Sequence, residues 1–216
     1  NFGLGITILK HNYDETDFKA ALQIAFEHDN TVLIEKFIPG REFRIFIIND
    51  EVVGILHRVP ANVTGDGVLN IGQLIDRKNE DPLRGKGYRT PLEKIRKGRE
   101  EEMFLKQQGM DFNTVPKERE VVYLRENSNI STGGDSIDFT DDIDDSYKAI
   151  AVEAAKALNV KITGLDMMIQ DIHAPATPDN YAIIEMNFNP AIHIHCYPFK
   201  GKNRHLNHKM IKALGF

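Results

Sequence analysis

The chain has almost no cysteine: Cys196 stands alone among 216 residues. A single thiol excludes an internal disulfide and suits a reducing cytosol. No apolar run is long enough to span a bilayer, and no signal peptide is legible. Positive charge is not in excess either. The 27 basic residues are outnumbered by 32 acidic ones, for a net charge of −5. That balance argues against a nucleic acid or another polyanion as the main partner. Internal repeats and low-complexity linkers are missing, and so is a convincing Ser–His or Cys–His arrangement for nucleophilic catalysis. An initiator methionine is also lacking. Asn1-Phe2-Gly3-Leu4-Gly5 reads as the middle of a loop, as expected of a piece of a longer protein.

Hydrophobic residues make up 41% of the chain, enough for a real core in one large domain or two small ones. Residues 5–9 read as a short strand. Residues 15–28 place Phe18, Ala21, Leu22, Ala25 and Phe26 at helical spacing. A buried strand is expected over 31–36. Two more, over 42–48 and 52–59, are joined by a tight Asn49-Asp50 turn. Residues 60–67 and 79–90 read as loops around a short helix at 71–77, and 92–108 as a charged, solvated helix. A strand at 120–125 precedes a polar glycine loop at 127–135. Asp145-Ser146 can cap a helix running to about Leu158. Strands at 162–169 and 181–187 and a helix at 203–214 complete an α+β pattern.

The last two strands carry the chemistry. Tyr181-Ala182-Ile183-Ile184-Glu185-Met186-Asn187 reads as a buried strand that ends in a carboxylate and a carboxamide. Strand side chains alternate, so Glu185 and Asn187 share a face. Within Ile162-Thr163-Gly164-Leu165-Asp166-Met167-Met168-Ile169, Asp166 is an acid among apolar neighbours, expensive unless a cation or donor matches it. If these strands pair, three oxygen donors converge, a set suited to Mg²⁺, which usually accompanies phosphate. Gly3 and Gly5 could approach phosphate with backbone N–H groups, though a Gly-x-Gly pair alone is more often a turn. Glu35 and Lys36 break an apolar stretch before Pro39-Gly40, where a flat base could meet backbone from Lys36 to Ile38. Arg44, Arg58 and Arg125 lie near expected sheet ends, where arginines can neutralise phosphoryl charge. His193-x-His195-Cys196 lacks a second ligand pair for zinc and reads instead as a loop contributing to substrate. Cys196 reads as a small buried side chain.

Together, Glu35-Lys36-Phe37-Ile38-Pro39-Gly40-Arg41-Glu42-Phe43-Arg44, Asp166 and Glu185-Met186-Asn187 resemble the ATP-grasp superfamily of carboxylate–amine ligases. The blocks at 57–67, 79–85 and 124–134 narrow the likeness to two groups. These are the glutathione synthetase half of bacterial bifunctional glutamate–cysteine ligase/glutathione synthetases and the ATP-grasp part of cyanophycin synthetases. Residues 1–6 and 198–204 look more like the former.

The resemblance implies an ATP-grasp fold, with residues 1–60 in a small nucleotide-gripping subdomain and 61–216 in a larger one. It implies ATP and Mg²⁺, or Mn²⁺ in its place, and chemistry through an acyl phosphate. Glu35, Lys36 and Ile38 would form the adenine-side hinge, Glu42 the ribose-binding acid, and Gly3 and Gly5 part of the loop over the phosphates. Asp166, Glu185 and Asn187 would hold the metal, while Arg44 and Arg125 would contact phosphate or acyl phosphate. The implied substrates are γ-glutamylcysteine and glycine. The implied setting is cytoplasmic, without nucleic acid or membrane, fused to an upstream glutamate–cysteine ligase domain, with a homodimer as one possible assembly. The family's two upstream ATP-binding lysines lie before Asn1. A cyanophycin-type peptide ligase and a non-catalytic nucleotide-binding module are the alternatives.

Overall fold

The computed structural model describes Thr7, Leu9 and residues 13–216. The strand expected over 5–9 falls largely outside the described residues, as do Gly3 and Gly5. Contacts divide the chain into two compact units, Asn1–Pro39 and Gly40–Phe216.

In the first unit, helix α1 (Glu15–Phe26) starts at Asp14, whose carboxylate accepts from the backbone N–H of Thr16 and Asp17. Asp17 reciprocates, forming a capping box. The buried strand expected over 31–36 does not form. Leu33 is 79% exposed and Ile34 66%, and the backbone there is irregular. A β segment persists only where another strand completes its hydrogen bonds, and no described strand pairs with this one.

The second unit is built on β1 (Arg41–Ile48) and β2 (Glu51–Val59), joined at Asn49 and Asp50. Both turn residues have positive φ, 48° and 65°, the geometry of a two-residue hairpin that Asn and Asp tolerate. The next elements are β3 (Asn62–Thr64), α2 (Ile71–Lys78), β4 (Arg84–Gly85), β5 (Leu92–Glu93), α3 (Arg99–Gln107) and β6 (Val121–Tyr123). A 3₁₀ turn at Ile130–Thr132 leads to β7 (Asp135–Asp138), α4 (Asp145–Ala157), β8 (Ile162–Ile169), β9 (Tyr181–Asn187), α5 (His193–Cys196) and α6 (Leu206–Ala213).

Five strands form one sheet in the order β7-β2-β1-β8-β9, with every neighbouring pair antiparallel. The boundary expected at residue 60 falls inside the second unit, just after β2. Contacts split the chain at residue 39, because β1 and β2 hydrogen-bond into the sheet that contains β8 and β9. One face of that sheet buries Phe43, Ile45, Ile47, Ile55, Leu165 and Met167 against Tyr147, Ala151 and Ala155 of α4. A second core forms under the β3–β6 pair, where Ile71, Leu74 and Ile75 of α2 and Leu105 of α3 meet Val63 and Val122.

Several expected boundaries move for local reasons. The helix expected from residue 92 begins at Arg99, after the Gly98 N-cap. Upstream of it, Leu92–Glu93 pairs with Arg84–Gly85, and Asn79 bonds both the N–H and the carbonyl of Ile95 at 2.8 Å. Nor is that helix wholly solvated, since Glu101 and Leu105 are buried. The expected 120–125 strand shortens to β6. The cap of α4 is Asp144, whose carboxylate accepts from Ser146 N at 2.9 Å. β7 was not anticipated: Asp-Ser-Ile-Asp has little of the β-branched, aromatic character of a strand. β9 forms as expected but is not buried. It is the sheet's edge strand, with Ile183 and Ile184 exposed.

Candidate functional site

Alternation along the strands gives the sheet a second face, opposite α4. Onto it project Glu42 and Arg44 from β1, Arg58 from β2, Asp166 from β8, and Glu185 and Asn187 from β9. Arg44 lies directly opposite Asp166, and Asp166 directly opposite Glu185. Asn187 pairs with Gly164, and its amide donates to Glu185 Oε1 at 3.1 Å. The expected convergence of the last two strands therefore holds in register. Gly164 makes room for it, because a Cβ there would sit 2.8 Å from Pro190 Cβ and 3.0 Å from Arg44 Cδ.

Asp166 is 3% exposed and is matched by two cations. Arg44 grips it bidentately, Nε on Oδ1 and Nη2 on Oδ2 at 2.8 Å. Arg58 Nη2 reaches Oδ2 at 3.1 Å and also pairs with Glu42 Oε1. Glu42 Oε2 accepts from Ser128 Oγ at 2.9 Å. Two acids and two arginines thus alternate across three strands, with charge balanced within the group. Planar guanidinium forks suit such sharing.

Two bulges aim this group. A register shift between Phe46 and Ile47 displaces the β2 residues beyond it by one, so that Arg58 comes opposite Glu42 rather than Arg41. A second, between Asp166 and Met167, makes Ile184 the extra residue. Ile183 then pairs with Met167 while Glu185 keeps its place beside Asp166.

Arg44 and Arg58 open onto a cleft of about 160 Å³ whose walls include Tyr88, Glu93, Ser131 and His193. The adjacent histidines are neutral near pH 7. Burial, with the charge of Arg41, holds His57 down at about 4, and its Nδ1 lies 2.9 Å from the Glu42 carbonyl. Burial, with the charge of Arg44, holds His195 at about 3. His195 is fully buried against Phe46, and neither ring nitrogen has a hydrogen-bond partner among the described residues. Burial also lowers His193.

These shifts set a pH dependence. Between about pH 6.5 and 4 the unfolded chain binds protons at both imidazoles that the folded chain does not. Stability therefore rises with pH across that window, by at most about 1.4 kcal/mol per pH unit for each group. Urea unfolding between pH 4.5 and 7 should show a midpoint that falls on acidification. A flat or rising midpoint would contradict buried neutral imidazoles.

The other expected residues fall elsewhere. Arg125 is not tied to this group; its Nε bonds Glu101 Oε1 at 2.7 Å, and Glu100 pairs with it too, at the start of α3. Glu35, Lys36 and Ile38 belong to the first unit, the first two exposed and Ile38 half-buried. Cys196 is buried, as expected. Ser128 was not singled out by sequence, because a serine in a polar glycine loop carries no distinguishing signal.

A divalent cation fits the donors present. Glu185 is exposed with no cationic partner among the described residues, and the Asn187 amide nitrogen faces Glu185 and the Gly164 carbonyl, leaving its oxygen as an acceptor. Asp166 retains lone pairs beyond those the arginines engage. The set is two carboxylates and a carboxamide; no three His, Cys, Asp or Glu side chains among the described residues group around a possible metal. All-oxygen ligation is the preference of Mg²⁺.

No family profile matches the chain. A bifunctional glutathione biosynthesis protein, GshAB, of Desulfotalea psychrophila is 63% identical over 216 residues, which are all of this chain and 28% of that protein. Its namesake in Clostridium perfringens is 57% identical over 214 residues, covering 99% of this chain and 28% of the relative. The crystal structure of a bifunctional glutathione synthetase from Pasteurella multocida superposes with a TM-score of 0.80 at 46% identity. It covers 99% of this chain and 30% of that one. The chain thus spans under a third of the length of these relatives.

Proposed function

We propose, from the premise that this chain belongs to the bifunctional glutathione biosynthesis family and has an ATP-grasp fold, that it is an ATP-dependent carboxylate–amine ligase. Its reaction joins γ-glutamylcysteine to glycine through an acyl phosphate. The observation that carries this reading is the Arg44–Asp166–Arg58–Glu42 group on the sheet face opposite α4, with Glu185 and Asn187 beside it. Such a face offers two positioned guanidinium groups, balanced at rest by Asp166 and Glu42, for a transferring phosphoryl group next to oxygen donors for its cation, and needs no side-chain nucleophile.

In this reading Asp166, Glu185 and Asn187 hold Mg²⁺, or Mn²⁺ in its place. When bound, the ion neutralises phosphate charge and orients the nucleotide. Arg44 turns one edge of its guanidinium to the phosphoryl oxygens while keeping Asp166 with the other, and Arg58 does the same from β2. Glu42 takes the ribose hydroxyls, shared with Arg58 and Ser128. Glu35, Lys36 and Ile38 border the adenine, and Gly3 and Gly5 belong to the phosphate loop. Arg125 acts on phosphate or acyl phosphate only if it leaves Glu101.

The length of the relatives and their bifunctional names support fusion to a glutamate–cysteine ligase domain. No helix among the described residues is long and apolar enough to cross a membrane, and a cytoplasmic setting and a homodimer complete the proposal. ADP release by the protein as encoded should require γ-glutamylcysteine plus glycine. Release with a cyanophycin primer plus aspartate instead would support the cyanophycin-type alternative, and release with neither pair would support a non-catalytic nucleotide module.

A further inference from the structure

We infer that Arg84 is a positioning residue that sets the separation between the two walls of the cleft below Arg44 and Arg58. Resting on the ligase reading above, this separation sets how tightly the cleft holds the carboxylate substrate. One wall includes Glu93, and the other is the turn at residues 129–131. A single guanidinium, with no side-chain exposure, reaches the first wall and Gly133, the residue that caps the turn of the second. Arg84 Nη1 donates to the carbonyl of Glu93 at 2.8 Å and to that of Gly133 at 3.0 Å. Its Nη2 pairs with Asp135, the first residue of β7, which the turn leads into.

Arg84 shares its carboxylate with other donors. The second Asp135 oxygen is held by Lys78 Nζ at 2.7 Å and Asn62 Nδ2 at 3.0 Å. Two cations therefore share one carboxylate, and the remaining positive charge faces the ring of Phe199. The Arg84 guanidinium carbon lies 5.4 Å from its centroid and Lys78 Nζ 5.2 Å. The two walls also meet directly. Gly133 has φ +94°, and a Cβ on it would sit 2.8 Å from Ile95 Cα, two residues beyond Glu93. The turn is stiffened by N–H bonds from Thr132 and Gly134 to the Asn129 carbonyl, both 3.2 Å.

A buried ionic group contributes little net stability, because desolvation offsets its attraction. What this one fixes is geometry. The Arg84 fork serves the two carbonyls from Nη1 and the carboxylate from Nη2, two nitrogens held a fixed distance apart, whereas a lysine ammonium would have to reach all three from a single nitrogen.

Arg84→Lys in the protein as encoded tests this, because it keeps a charge for Asp135 while losing the span. KM for γ-glutamylcysteine, and its Kd by calorimetry without ATP, should rise about tenfold or more, as expected for displaced positioning groups. KM for ATP should stay within about twofold. Gly133→Ala, which wedges the walls apart without touching a charge, should give the same split and decides the matter if Arg84→Lys does not fold. Folded variants with unchanged peptide affinity, or with peptide and ATP weakened equally, would overturn the inference. A wild-type protein that ligates no carboxylate–amine pair would instead sink the ligase reading on which it rests.

Discussion

Asp166→Asn is expected to lower ATP-dependent ligation by a factor on the order of 1,000 and to destabilise the fold by about 3 kcal/mol. Both effects follow from one carboxylate. Asp166 is the acid that stands between Arg44, Arg58 and the β9 donors. An amide in its place offers one neutral acceptor oxygen where two charged ones balanced a buried guanidinium. Removing one partner of a buried pair leaves the other uncompensated, the expensive half of the exchange. The stability loss can be separated from the activity loss. Replacing Arg44 and Asp166 together with Met and Leu should recover most of the stability, since a buried ion pair and an apolar pair of similar volume are often nearly equivalent. Activity should not return. Single-turnover ADP formation and urea denaturation on the same samples check both parts, and an Asp166→Asn protein with full ligase activity would show that Asp166 takes no part in the chemistry.

Glu185→Gln should behave differently, because Glu185 is exposed and has no cationic partner among the described residues. Its stability should change by less than about 0.5 kcal/mol, as for most surface substitutions. The Mg²⁺ concentration needed for half-maximal rate should rise by at least about tenfold to a hundredfold, the loss seen even when only an outer partner of a metal ligand is removed. Mn²⁺ titration followed by electron paramagnetic resonance reads the same affinity without turnover. An unchanged metal requirement would show that the β9 carboxylate does not reach the ion. Read together, the two variants sort a buried acid with structural and chemical duties from an exposed one with chemical duty alone.

Much of this face is legible in the sequence because strand alternation is strict. Glu185 and Asn187 must share a side once β9 forms, and Asp166, alone among apolar neighbours, announces a need for compensation. The partners of Asp166 are less legible. Arg58 meets Glu42 only because of the bulge at Phe46/Ile47. Uniform pairing from the Asn49-Asp50 turn would put it opposite Arg41, and the only local hint of the extra residue, Val53, is its neighbour Gly54 inside the strand. The segment at 31–36 misleads for the opposite reason. Val32, Leu33 and Ile34 have strand propensity, but propensity supplies no neighbouring edge, and the segment stays irregular. Arg125 has the right residue type beside the right kind of loop, yet Glu101, buried at the start of α3, claims it. A charge motif gives no warning of such a competitor when the competitor lies 24 residues upstream. Arg84 is hidden in a stretch that reads as loop, and its reach to Glu93 and Gly133 is visible only in three dimensions.

On the proposed reading, Asp166, Glu185 and Asn187 grip one divalent-metal site beneath ATP. Crystals of the protein as encoded, grown with a non-hydrolysable ATP analogue and Mn²⁺, test it through the metal's anomalous signal. A peak is expected within roughly 2.0–2.3 Å of oxygens from these three side chains, with Arg44 and Arg58 turned toward the phosphates. A peak elsewhere, with Asp166 still clasped only by its two arginines, would contradict it.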